Sequence, residues 1–331
     1  MLNVAVIGLG WWGRKMVADL RASDSVRVVL GVDPTPAGRA AAAALGVPVS
    51  SDLGAALRDA SVEAVVLCSP HAVHAAQIIA SAAAGRHVFC EKPLATTRAE
   101  ASRAVTACQE AGVVLGVGHE RRFEPPVMRL RDLCAARAIG QPLVFEGNFS
   151  QNKFLALPRD NWRLSAEAAP VGPLSATGIH LVDLAVAVLG RPCQVLATLS
   201  NRATGFANGD TLTIHLGFDG GRTALITACL TTPFLGRVCV IGSRGWAEIR
   251  DREHPEDPQG WDMTVALDGS APATTKHPPH PAVRSNVEAF AAAVRGTAPY
   301  PVAAHEMLAT AAAFEAITRS VRSHRVEPIN Y

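Results

Sequence analysis

The sequence predicts an α/β chain of two domains: a doubly wound parallel sheet first, then an α/β domain built on a large, mostly antiparallel open sheet. Three observations carry this. Up to about Val117, short β-branched runs alternate with alanine-rich helical stretches, the written form of repeated βαβ units. After Phe123, strand-like segments follow one another directly, separated by turns such as Asp219-Gly220-Gly221 and Ser243-Arg244-Gly245. At 331 residues the chain is long enough to split into two cores. The expected domains are residues 1–122 and 123–331.

The parallel strands are expected at Val4–Gly8, Arg27–Val32, Ala64–Cys68, His87–Cys90 and Val113–Val117. Their continuous Val/Ile/Leu runs, without strict alternation, suit strands buried on both faces. Helices are expected from about Trp12, Ala37, Val73 and Arg98, the last opened by Thr97 with Glu100 at capping-box spacing. In the second domain strands are expected at Leu143–Ser150, Gln194–Ser200, Thr211–Phe218, Arg222–Leu230, Val238–Ile241, Trp246–Ile249 and Met263–Leu267. Helices are expected there at Ser175–Leu189, Val283–Arg295 and His305–Ser323, with Pro255–Gly260 and His277–Pro281 as connectors.

Composition excludes several function classes. With 49% hydrophobic and 18% charged residues, the chain has ample core material and no signature of disorder. Its 31 basic and 29 acidic residues nearly cancel and form no long basic run, even where Arg121 and Arg122 adjoin, so neither nucleic acid nor a membrane surface is expected as a partner. Seven scattered cysteines without a C-x-x-C pair argue against a disulfide framework or zinc ribbon and fit a reducing cytoplasm. A strand pattern begins at Leu2 without a basic leader, and the apolar stretches fall short of a membrane span, so neither export nor anchoring is expected.

Gly8-Leu9-Gly10-Trp11-Trp12-Gly13 places G-x-G-x-x-G between the first strand and the first helix. Gly8 permits the tight turn, Gly10 lets the backbone approach a pyrophosphate, and Gly13 allows close helix packing, while the helix N-terminus offers N–H groups to the anion. Such turns also occur for packing alone. Here the second strand ends in Asp33, twenty residues beyond Gly13, where a carboxylate accepts from the adenosine ribose hydroxyls of a dinucleotide. A carboxylate there repels a 2′-phosphate, and Pro34 and Thr35 bring no cation, so NAD is favoured over NADP; Arg39 is the nearest basic residue. Trp11 and Trp12 either cover the sheet edge or shield the cofactor or substrate.

After the His87–Cys90 strand comes Glu91-Lys92-Pro93-Leu94, on the carboxyl edge where doubly wound sheets bind ligands. Together with the glycine turn, Ser69-Pro70-His71-Ala72-Val73-His74, the segment from Gly116 to Phe123, and Gly178-Ile179-His180-Leu181-Val182-Asp183, it resembles the Gfo/Idh/MocA oxidoreductase family over nearly the whole chain. The E-K-P tripeptide is the specific element. The resemblance implies a Rossmann domain followed by a domain whose open sheet holds substrate on one face and commonly another subunit on the other, hence a homodimer or homotetramer.

It further implies that Lys92 hydrogen-bonds the reacting hydroxyl and stabilises charge on it. Glu91 is then a cofactor contact, and His180 the acid/base, its unperturbed pKa of about 6.5 suiting proton exchange near neutrality. Many relatives carry Asp four residues before that histidine; this chain has Ala176. Asp183, three residues after His180 on the same helical face, either orients the imidazole or is a structural acceptor. Ser69, His71 and His74 are expected beside the cofactor, with His71 nearer the nicotinamide ribose. Arg122, Trp162 and Arg163 are expected to bind a polar substrate or pair with local carboxylates. No metal site is expected, because His71 and His74 lack a third ligand nearby.

The function so implied is NAD-dependent hydride transfer at a hydroxyl-bearing carbon of a sugar, polyol or related small polar molecule. Two alternatives remain: an enzyme that oxidises its substrate only transiently with bound NAD, and a cofactor-binding sensor without catalysis.

Overall fold

Residues 1–331 are all described by the computed structural model, which divides them into two compact units, Met1–Glu120 with Pro281–Met307, and Arg121–His280 with Leu308–Tyr331. The first unit opens with β1 (Leu2–Ile7), α1 (Trp11–Leu20), β2 (Val26–Val32), α2 (Pro36–Ala43), β3 (Val49–Ser50) and α3 (Leu53–Arg58). It continues with β4 (Ala64–Leu67), α4 (His74–Ala83), β5 (His87–Cys90), α5 (Arg98–Glu110) and β6 (Leu115–Val117). The strands lie in the order β3-β2-β1-β4-β5-β6, all parallel, and the order reverses between β1 and β4. Ligands of such sheets bind at that switch point. Every residue of β4 is fully buried, which is why its apolar run shows no alternation. The expected cap of α5 forms: the Thr97 hydroxyl accepts from the Glu100 N–H (3.2 Å) and donates to its carboxylate (3.0 Å). The short β3 and α3 go beyond the predicted elements.

In the second unit come α6 (Pro125–Ala135), β7 (Pro142–Ser150), α7 (Ile179–Leu189), β8 (Pro192–Ser200), β9 (Thr211–Phe218) and β10 (Thr223–Cys229). There follow β11 (Leu235–Gly242), β12 (Gly245–Asp251), β13 (Trp261–Leu267) and β14 (Ala273–His277). The chain ends with α8 (Ala282–Val294), α9 (Ala304–Ser323) and β15 (Glu327–Pro328). The nine-stranded sheet runs β14-β13-β12-β11-β7-β10-β9-β8-β15, antiparallel throughout except where β7 lies parallel to β10. One face is the core: Phe145, Ile214, Leu216, Ile226 and Val238 pack with Leu181 of α7 and Phe314 of α9. On the other face Leu225, His215 and Leu196 stand in register on neighbouring strands, with both leucines more than 40% exposed. Edge strand β14 escaped prediction because Ala273-Thr-Thr-Lys-His277 offers no apolar alternation, and α6 because it opens on Pro125-Pro126, prolines tolerated only in a helix's first turn.

The structure moves the predicted domain boundary. Residues 281–307, expected in the second domain, return to the first unit. Phe290 of α8 packs edge-on against Phe89 of β5, ring centroids 5.8 Å apart. The last residue of β6 is held as well: the Val117 N–H donates to the Tyr300 hydroxyl (3.1 Å), and the Asn286 amide donates to the Val117 carbonyl (2.9 Å). These bonds satisfy backbone groups that an edge strand otherwise leaves open. No helix is long and apolar enough to cross a membrane.

Candidate active site

The glycine turn divides its labour as the motif predicts. Gly8 has φ +89°, and a Cβ on it would stand 2.8 Å from the backbone of Cys68 and Ser69. A Cβ on Gly13 would lie 1.8 Å from the Gly8 carbonyl oxygen. A Cβ on Gly10, by contrast, would meet nothing within 4 Å. Two glycines therefore pack the turn, and the third faces open space at the start of α1, where backbone N–H groups favour an anion. This cradle fits a dinucleotide pyrophosphate.

Asp33 is buried at the end of β2. Its carboxylate accepts from the Leu9 N–H (2.7 Å), the Thr35 N–H (2.8 Å) and the Thr35 hydroxyl (2.6 Å), tying the second strand to the glycine turn. Burial pushes its pKa up, but the bonds from Thr35 and Leu9 and the charge of Arg39 outweigh that and hold it below the ordinary carboxylate value. Arg39 itself donates to the carbonyls of Asp33 and Pro34, each at 2.8 Å. The two tryptophans part company: Trp11 is 46% exposed, whereas Trp12 packs partly against the core of the first unit.

Beyond β5 the Glu91 N–H still reaches the Leu67 carbonyl (2.9 Å), which sets Lys92, half-buried, on the carboxyl edge of the sheet. The Lys92–Pro93 peptide is cis. Glu91 is buried, its carboxyl filling the space where Gly118 lacks a side chain; a Cβ there would lie 2.6 Å from it. Burial, then the neighbouring Glu120, push the Glu91 carboxyl up to about 8 against the pull of Lys92. This environment favours the protonated form of the carboxyl beside Lys92. The buried Ser69 hydroxyl donates to the Gln77 side chain (2.5 Å). His71, half-buried on a 3₁₀ turn, lies 5.9 Å ring to ring from His74. His74 itself is enclosed, with 0% exposure and its nitrogens at the Pro93 and Ser69 carbonyls. The expectation that its ring flanks the cofactor gives way to a contact with the lysine loop.

In the second unit His180 is buried near the start of α7, its ring 5.9 Å from Phe149 of β7. A π turn, Leu174–Gly178, precedes it, so Ala176 and His180 do not stand in the simple i, i+4 relation of an α-helix. Asp183 is gripped by Arg122, whose Nε and Nη2 each donate at 2.7 Å to a separate carboxylate oxygen, both side chains 1% exposed. The two form a buried bidentate ion pair. Arg121 is buried likewise, on Glu124 (3.1 Å) and Asp251 (2.8 Å). Trp162 and Arg163 are half-buried on a 3₁₀ turn, with the guanidinium 4.4 Å over the indole. The Asn208 amide anchors that turn through the Arg163 carbonyl (2.8 Å).

One residue near this site went unnoticed in the sequence. His254 is buried, with its ring 5.5 Å from Phe149 and 5.4 Å from Phe234, so that Phe149 gathers two histidines. It directly precedes the Pro255–Gly260 connector, and nothing local distinguishes it from a loop residue.

Comparison with known proteins agrees with this geometry. A family model described as an oxidoreductase family with an NAD-binding Rossmann fold matches residues 2–119, and the GFO/IDH/MocA C-terminal domain matches residues 127–248. D-xylose 1-dehydrogenase (NADP(+)) 2 of Haloferax volcanii is 30% identical over 298 residues, 89% of this chain and 88% of that protein. Inositol 2-dehydrogenase 2 of Saccharopolyspora erythraea is 32% identical over 63% of this chain and 60% of that one. The crystal structure of aldose-aldose oxidoreductase from Caulobacter crescentus shares the fold, with a TM-score of 0.87 at 24% identity over 99% of each chain.

Proposed function

The chain belongs to the Gfo/Idh/MocA oxidoreductase family, and from that premise we propose that it transfers a hydride between NAD and a hydroxyl-bearing carbon of a sugar, polyol or related small polar substrate. The observation that carries this reading is Lys92, held on the same sheet edge as a glycine turn open to a dinucleotide. Two relatives named for xylose and inositol, both polyhydroxylated, support the substrate class.

When bound, the nicotinamide supplies the hydride acceptor. The residues of the chain supply the rest. The N–H groups at the start of α1 hold the pyrophosphate and Asp33 accepts from the adenosine ribose. Lys92 donates to the substrate oxygen and stabilises the negative charge that grows there as the C–H bond breaks. His180 takes the hydroxyl proton. Trp162 and Arg163, stacked and half-buried, are assigned to substrate hydroxyls; Arg122 and Asp183, paired with each other, are not. A dehydrogenase screen of polyols, sugars and sugar acids tests the reading.

Asp33 makes NAD the preferred cofactor, with kcat/KM expected to exceed that for NADP by about tenfold or more, the equivalent of roughly 1.4 kcal/mol. Asp33→Ser should narrow the gap, since it removes the carboxylate that faces a 2′-phosphate while Arg39 stays close by. A wild-type preference for NADP in steady-state assays would overturn this.

The second-unit sheet face bearing Leu196, His215 and Leu225 is proposed as the contact between subunits, because two exposed leucines flank His215 in one register row across three neighbouring strands. Light scattering should give a dimer or tetramer for the wild type and a monomer for the Leu196→Arg, Leu225→Arg double variant. A monomeric wild type at working concentrations removes the proposal. All seven cysteines are unpaired, and we place the protein in the reducing cytoplasm.

A further inference from the structure

We propose that His74 is a positioning residue: an imidazole brace that fixes the backbone on which Lys92 stands. The proposal rests on the reading of Lys92 as the catalytic group. His74 opens α4, and its ring has no exposed surface. Nδ1 lies 2.8 Å from the carbonyl oxygen of Pro93, the residue after Lys92, and Nε2 lies 2.9 Å from the carbonyl oxygen of Ser69.

Those two carbonyls belong to the loops that leave neighbouring parallel strands. The β4–β5 ladder ends at the pair Leu67 and Cys90, with one further backbone bond from the Glu91 N–H. Past that point the chain carrying Lys92 has left its strand partner. Pro93 has no N–H with which to anchor it, so its carbonyl is the backbone polar group the residue offers. Burial favours the neutral imidazole, which has a single N–H; carried on Nδ1 it donates to the Pro93 carbonyl, while the opposite edge of the ring packs against the Ser69 loop. The Ser69 end is itself tied down, since the Ser69 hydroxyl is bonded to Gln77 of the same helix α4. The brace thus links the lysine loop to a helix already fixed to the sheet. An ammonium that must meet a growing charge is sensitive to such placement, because an error of about 1 Å can cost on the order of 10² in rate.

Asparagine and glutamine separate the two contacts. The Asn amide nitrogen overlies Nδ1 and keeps a donor for Pro93; the Gln amide nitrogen overlies Nε2 and keeps one for Ser69. The chain has only four lysines, Lys15, Lys92, Lys153 and Lys276, so reductive methylation with a ¹³C label yields a simple spectrum of the full-length protein without cofactor or substrate. Methylation preserves the charge. The Lys92 signal is the one absent from Lys92→Arg.

His74→Gln should move the Lys92 resonance and its titration midpoint, whereas His74→Asn should leave both close to wild type, with the other lysines unmoved in either. In parallel, kcat should fall by about 10² in the Gln variant, with KM little changed, and recover in the Asn variant. A Lys92 signal identical in wild type, Asn and Gln overturns the brace, as does an equal displacement in both variants. So does failure of both variants to fold, which would make the ring a support of the fold and not of the lysine. The resonances report on the brace alone; retention of turnover by Lys92→Ala would instead remove the assignment of Lys92.

Discussion

Lys92→Ala is expected to lower kcat by about 10² to 10³, the usual loss when one donor to a developing oxyanion is removed. The dissociation constant for NADH, read by fluorescence titration, should stay at its wild-type value, because the lysine acts on charge that develops at the substrate oxygen and not on the dinucleotide. Burial and the neighbouring Glu120 also push the adjacent Glu91 carboxyl towards its protonated form, which weakens its pull on the ammonium. His180→Ala should cost roughly 10² as well if it takes the hydroxyl proton, and should flatten the pH dependence of turnover. Unchanged turnover in both variants with an identified substrate leaves the mechanism without support.

Asp183→Asn is expected to act on stability. The carboxylate is bound at both oxygens by Arg122 within the core of the second unit, and breaking a buried ion pair by removing one partner costs about 3–5 kcal/mol. An uncompensated guanidinium stays behind. Chemical denaturation should show this loss in the unit that holds Asp183, while the folded fraction of the variant keeps the wild-type pH profile of turnover. A variant of wild-type stability whose pH profile changes would return Asp183 to the role of orienting His180. Replacing both partners with apolar residues of similar volume should recover much of the lost stability, since no buried charge is then left unpaired.

These residues also show what a sequence makes legible. The glycine turn, Asp33 and Lys92 could be placed because each sits at the end of a strand whose apolar run marks it, and because backbone geometry restricts which residues such a turn accepts. Asp183 was left between two roles because its partner is 61 residues away, and no local pattern announces a bidentate pair formed in the folded core. The return of α8 to the first unit was hidden for the same reason: the Asn286 amide meets Val117 across 169 residues. His74 was recognised as belonging to the site, but its enclosure between two carbonyls follows from how the β4 and β5 loops converge, which periodicity does not encode. His254 had no signal at all. Its place beside Phe149 depends on the β12–β13 connector folding back over β7.

The central claim, net hydride transfer to NAD from a hydroxyl-bearing carbon with Lys92 at the reacting oxygen, is tested most directly by following NADH formation. Polyols, sugars and sugar acids would be offered in parallel to the wild type and to Lys92→Ala, each loaded with NAD. At least one substrate should give NADH in step with oxidised product in the wild type, at a rate about 10² to 10³ lower in the variant. Product formed with no net NADH would point to transient oxidation by a retained cofactor, and NAD binding with no product from any substrate would point to a sensor; either result contradicts the account.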